Sequence, residues 1–65
     1  MNLEKLKKIR KECGYSQQEI ASMFGYTRQN FGQKEQTGKF KLSEIKELKQ
    51  ILSLTNDEIY EIFID

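Results

Sequence analysis

Apolar residues along this chain recur at helical spacing, and glycines divide the recurrences into separate pieces. Leu3, Leu6, Ile9 and Cys13 follow one another at intervals of three and four, which keeps side chains on one face of a helix. The spacing predicts a first helix over residues 3–12, with Asn2 as its N-cap and Gly14 as the left-handed residue that ends it. Cys13, at the end of that stripe, reads as a small core residue. Ser16-Gln17-Gln18-Glu19 is a capping box, in which Ser16 and Glu19 satisfy each other's free amides. The second helix starts there, turns Ile20, Ala21 and Phe24 inward, and stops at Gly25. Thr27 is placed to cap a third helix from Arg28 to about Gln36, after which Gly38 and its polar neighbours form a loop. Leu42, Ile45, Leu48, Ile51 and Leu52 make the apolar stripe of a fourth helix. Lys41 is a poor cap for it, which leaves Ser43 as the alternative. Thr55-Asn56-Asp57-Glu58 is a second capping box and opens a short last helix carrying Ile59, Ile62 and Phe63. The pattern predicts one all-α domain over residues 1–65, a compact bundle of five helices with short connections.

Size and composition narrow the function classes. A chain of 65 residues buries only roughly 60% of its unfolded surface, which leaves no room for a substrate-enclosing site on a separate scaffold. One cysteine makes no internal disulfide, and histidine is absent, so the usual zinc ligand sets and the commonest general base are missing. No cofactor, metal or small-molecule ligand is expected. No apolar run approaches the roughly 20 residues that span a bilayer, and Met1-Asn2-Leu3-Glu4 lacks the pattern of a signal peptide. A reducing, cytoplasmic setting fits. The net charge of +1 conceals an asymmetry: residues 1–41 carry nine Lys/Arg against four acids (+5), and residues 42–65 two lysines against six acids (−4). A basic front and an acidic back orient a protein toward a polyanion without making it sticky overall.

Two short helices joined by a glycine-containing turn are the signature of a helix-turn-helix, and residues 16–36 supply its parts. Ala21 is small where the third helix must approach the second. Gly25 takes the positive φ of the sharp turn. Phe31 anchors the third helix to the core. At about 100° per residue, Gln29, Gln33 and Gln36 then lie opposite Phe31, with Arg28 projecting from the first turn. Arginine grips guanine O6 and N7 with two hydrogen bonds, and glutamine does the same for adenine N6 and N7. The same face is also what a merely solvated polar surface looks like, and these residues alone leave both readings open. Gln17 at the start of the second helix, Thr27 and Asn30 at the start of the third, and Gln36, Lys34, Lys39 and Lys41 toward its end and the loop are candidates for phosphate or peripheral contacts.

Arg10 and Glu35 fall on the apolar sides of the first and third helices, Glu35 within about 40° of Phe31. Two opposite charges that both face the core read as a buried pair joining the helices, a structural role.

Taken together, Leu6-x-x-Ile9-Arg10, Gly14-Tyr15-Ser16-Gln17-x-Glu19-Ile20-Ala21, Phe24-Gly25-Tyr26-Thr27-Arg28-Gln29, Phe31-x-x-x-Glu35 and Leu42-x-x-Ile45-x-x-Leu48 resemble a known family. It is the Cro and lambda-type repressor domains of phages and bacterial regulators, and the resemblance covers nearly the whole chain. It implies a five-helix lambda-repressor-like domain that represses transcription as a homodimer on a pseudo-palindromic double-stranded DNA operator. It also implies that Gln17 contacts phosphate, that Arg28, Gln29 and Gln33 face bases, and that an Arg–Glu pair recurs at the positions of Arg10 and Glu35. The chain departs from the family pattern at Lys34, where an aliphatic or aromatic residue is common, and at Gly32, inside the reading helix. The loop from Gln36 to Phe40 is one residue longer than usual and lacks the proline often found nearby.

Dimer contacts are expected from the region of the fourth and fifth helices, where Tyr60, Ile62, Phe63 and Ile64 are candidates, with core packing as their competing role and monomeric binding as the alternative. A second function class stays open: a protein-binding module of antirepressor or antitoxin type that keeps the fold and binds another protein. An enzyme is a distant third, since no nucleophile–base pair or metal cluster is visible.

Overall fold

The computed structural model describes all 65 residues. The chain folds into α1 (Leu3–Glu12), α2 (Gln17–Phe24), α3 (Arg28–Thr37), α4 (Leu42–Ile51) and α5 (Asn56–Phe63), with no strand. Four of the five helices open on a side chain that answers free amides. Asn2 Oδ1 accepts from the Lys5 amide at 3.2 Å. Ser16 Oγ accepts from the Glu19 amide at 3.1 Å, while Glu19 returns a carboxylate to the Ser16 amide at 2.9 Å. Thr27 caps α3 through the Asn30 amide at 3.1 Å, and Thr55 and Glu58 repeat the reciprocal box on α5 at 3.1 and 2.8 Å. The fourth helix is the exception. Its cap position is Lys41, a residue with no acceptor, and Ser43 lies inside the helix and does not serve as the cap. Instead Glu44, at the third helical position, accepts the Lys41 amide at 2.6 Å, so half of a capping box does the work.

The turn between α2 and α3 is a Schellman motif. Gly25 adopts φ 74°, its amide reaches the Ser22 carbonyl at 3.1 Å, and the Tyr26 amide reaches that of Ala21 at 2.8 Å. Ala21 is fully buried, as close packing of α2 on α3 requires.

The core comprises Leu6, Ile20, Ala21, Phe31, Leu48, Leu52, Leu54 and Ile62. An aromatic chain runs through it. Tyr26, Phe24, Phe31, Phe40 and Phe63 succeed one another at centroid separations of 5.7, 6.2, 6.1 and 5.7 Å, so the turn, α3, the loop and α5 are tied together. Phe40, in the loop before α4, packs between Phe31 and Phe63. Leu42, by contrast, is 70% exposed. It sits about 120° around α4 from the buried Leu48, a position the loose spacing of the stripe does not exclude. Cys13 is likewise exposed and not a core residue. It has the right angular position but occupies the C-cap of α1, where the chain turns away, and its thiol reaches only the Leu52 carbonyl at 4.0 Å. No helix is long and apolar enough to cross a membrane.

Candidate nucleic-acid interface

Glu35 and Phe31 set the orientation of α3. Phe31 is fully buried, and Glu35 keeps 3% exposure because it receives three donors. Arg10 Nε donates to Glu35 Oε2 at 2.7 Å and its second terminal nitrogen to Oε1 at 3.3 Å, while the remaining guanidinium nitrogen donates to the Tyr15 carbonyl at 2.7 Å. Gln17 Nε2 adds a further bond to Glu35 Oε1 at 2.9 Å. No buried side-chain nitrogen or oxygen lacks a partner, so the cost of taking these charges out of water is met by directed bonds.

With that side fixed, the rest of α3 faces outward. Arg28, Gln29, Asn30, Gln33, Gln36 and Thr37 are all exposed, and Gly32 and Lys34 flank them half-buried. Arg28 and Gln29 line a shallow groove with Gln17, Gln18, Thr27 and Gly32, between the starts of α2 and α3. Gln33 belongs to a second hollow, shared with Asn30, Lys34, Gln36, Thr37 and Lys39. The residues read from the sequence as base-facing therefore occupy two adjoining depressions on one face. Lys41 lies outside both. Three residues that sequence reasoning missed also line this side: Gln18, Thr37 and Lys7. Lys7 borders a further hollow with Gln17, Gly32, Glu35 and Gln36. Its position one turn before Arg10 on α1 was the available signal.

Gln17 and Lys34 are both committed inside the molecule. The Gln17 amide nitrogen is spent on Glu35, which leaves its oxygen and the backbone of the first turn of α2 facing the groove. Lys34 Nζ lies 3.5 Å from Glu44 Oε1 and 5.5 Å from the centroid of the Tyr26 ring. Glu44 also accepts a short hydrogen bond from the Tyr26 hydroxyl. Burial works against ionisation of Glu44, but the Tyr26 hydroxyl, the Lys41 amide and the Lys34 ammonium together outweigh it and hold its carboxyl below the ordinary range. The same hydrogen bond, with burial, pushes the Tyr26 hydroxyl up.

Tyr60 on α5 and Ile64 just beyond its end are 55% and 67% exposed, and Phe63 is half-buried against Phe40. Ile62 is fully buried in the core and is removed from the dimer candidates. It lies on the apolar face that α5 packs into the core, with Ile59 and Phe63 beside it. The helix is tied to the start of α1 by the Asn2 amide, which donates to the Ile62 carbonyl at 3.0 Å, and by the Lys5–Glu61 pair at 2.7 Å.

No family model, curated protein or solved structure matches this chain.

Proposed function

We propose that this chain is a sequence-specific double-stranded DNA-binding regulator of transcription, in which α2 and α3 act as a helix-turn-helix and α3 enters the major groove. The observation that carries the reading is the outward face of α3, which holds arginine, glutamines, asparagine and threonine but no acid and no apolar residue. The helix's one acid, Glu35, is turned inward and bound to Arg10. A face built to meet a polyanion needs that arrangement, whereas one built for a protein groove needs exposed apolar anchors.

Arg28, Gln29 and Gln33 read base edges, each bidentate contact supplying about 1–3 kcal/mol of discrimination. Thr27, Asn30, Gln36, Lys39 and Lys41, with Gln17 through its oxygen and the first turn of α2, place the helix on the phosphate backbone. The exposed Tyr60 and Ile64 join two copies on a pseudo-palindromic operator. Together with the resemblance to Cro and lambda-type repressors, this makes a phage- or prophage-type repressor of the bacterial cytoplasm the reading of choice. No catalytic role, cofactor or metal is assigned.

A selection from randomised duplexes tests the reading. The expected product is a palindrome, with sequence preference abolished in Arg28→Ala and Gln29→Ala, while Lys39→Ala weakens every duplex alike. No duplex bound at low salt, beside a stable complex with a partner protein, would turn the same face into a protein-binding surface.

A further inference from the structure

Three charged residues are buried, and two of them, Arg10 and Glu35, satisfy each other. The third is Glu44, 4% exposed, which binds three separate parts of the chain. The Tyr26 hydroxyl comes from the turn ahead of α3. The Lys34 ammonium comes from the middle of α3, at 3.5 Å. The Lys41 amide, at 2.6 Å, belongs to the loop that also carries Lys39. Lys34 is drawn inward as well as paired: its side chain is 21% exposed and its ammonium lies 5.5 Å from the centroid of the Tyr26 ring. An apolar residue at position 34 would fill the same space without direction. A carboxylate with fixed donors instead permits one arrangement, because any shift of α3 against α4 strands a buried charge.

We infer that Glu44 is a positioning residue of the DNA interface: it locks the reading helix to the Lys39–Lys41 loop, and it withdraws Lys34 from the phosphate contacts. The consequence for DNA rests on the function proposed above; the lock itself does not. Base reading by α3 and charge neutralisation by the loop then keep a fixed spacing, set by one side chain that touches neither base nor phosphate.

The test uses Glu44→Gln, which keeps size and one acceptor but loses the charge, and Lys34→Met, which keeps the stem and loses the ammonium. In the free protein, amide hydrogen exchange in Glu44→Gln is expected to quicken about ten-fold in α3 and residues 38–41 together, with α1 and α5 changed less than about two-fold. Equal acceleration in all five helices would mean a uniform loss of stability and would overturn the lock. Tyr26→Phe, which removes only the hydroxyl, gives the same pattern in milder form should Glu44→Gln fail to fold. On the selected duplex, Glu44→Gln loses about ten-fold in affinity while a scrambled duplex loses less than about two-fold. Lys34→Met leaves the slope of log affinity against log salt unchanged; a slope shallower by about 0.9 would make Lys34 a phosphate contact and defeat that half of the inference. A parent chain that binds no duplex, yet shows the expected exchange pattern, removes the DNA reading and upholds the lock.

Discussion

Gly32 is helical, and a Cβ built on it would meet the Gln17 amide at 3.6–3.9 Å, ordinary van der Waals contact. Glycine inside a helix costs about 1 kcal/mol relative to alanine through backbone entropy. Gly32→Ala is therefore expected to stabilise the free protein by about 0.5–1 kcal/mol, read as a higher urea midpoint at unchanged slope. Gly38 is the opposite case. It adopts φ 77°, and a Cβ there would lie 2.6 Å from Met1 Sδ and 3.2 Å from both methyls of Leu3, so the same substitution destabilises. For the buried pair, Glu35→Ala leaves the Arg10 guanidinium at 5% exposure without its counter-charge and is expected to cost about 3–5 kcal/mol in denaturant unfolding. A double variant with methionine at both positions should recover most of that loss; no recovery would mean that the site needs the charges for more than each other. This pair was legible in the sequence because both residues fall on otherwise apolar helix faces. Glu44 was not, since an acid at the third position of a helix has an ordinary exposed role as half of a capping box.

At the scale of the element, α4 opens on a carboxylate alone, where α2 and α5 pair theirs with a cap hydroxyl and α1 and α3 use an amide or a hydroxyl without one. Glu44 is held below its ordinary value of 4.5, as its donors outweigh burial; Glu61 is lowered too, first by its hydrogen bond from Lys5. A carboxylate with a lower pKa in the folded state binds protons first in the unfolded chain, so acid favours unfolding. Its stabilising contribution is complete above the ordinary value and fades as pH falls through the folded one. The thermal midpoint is expected to drop on acidification below about 4.5, and Glu44→Gln to show a shallower drop. An identical pH profile in that variant would assign the acid sensitivity to other groups. Helix beginnings were legible wherever Ser, Thr or Asn stood at the cap. The start of α4 was not, because its cap residue contributes nothing and its bond comes back from Glu44.

The whole molecule sets its charge asymmetry, +5 over residues 1–41 and −4 over residues 42–65, against a polar outer face of α3 and a C-terminal end that leaves Tyr60 and Ile64 exposed. Two exposed apolar side chains one helical turn apart are a small surface, and under the proposed function they suit a dimer formed on adjacent half-sites more than an obligate one. On the proposed function, Ile64→Lys is expected to abolish cooperative occupation of a palindromic duplex while half-site affinity and thermal stability stay within about 0.5 kcal/mol of the parent. Unchanged cooperativity would place the contact between copies elsewhere.

What the sequence by itself determined is what depends on residues within about four positions of one another: five helices, most of their caps, the glycine turn before α3 and the polar character of its outer face. The meeting of Arg10 with Glu35 was legible as well, since each advertises an inward face on its own helix. Only the tertiary structure decided how each helix is rotated against its neighbours. That rotation exposes Leu42, buries Glu44, gives Phe40 a place beside Phe31 and Phe63, and takes Ile62 into the core. It also turns Lys34 from solvent toward Glu44. The physical reason is that an apolar stripe specifies a face only to within a wide arc, whereas close packing and a buried carboxylate with fixed donors accept far fewer orientations.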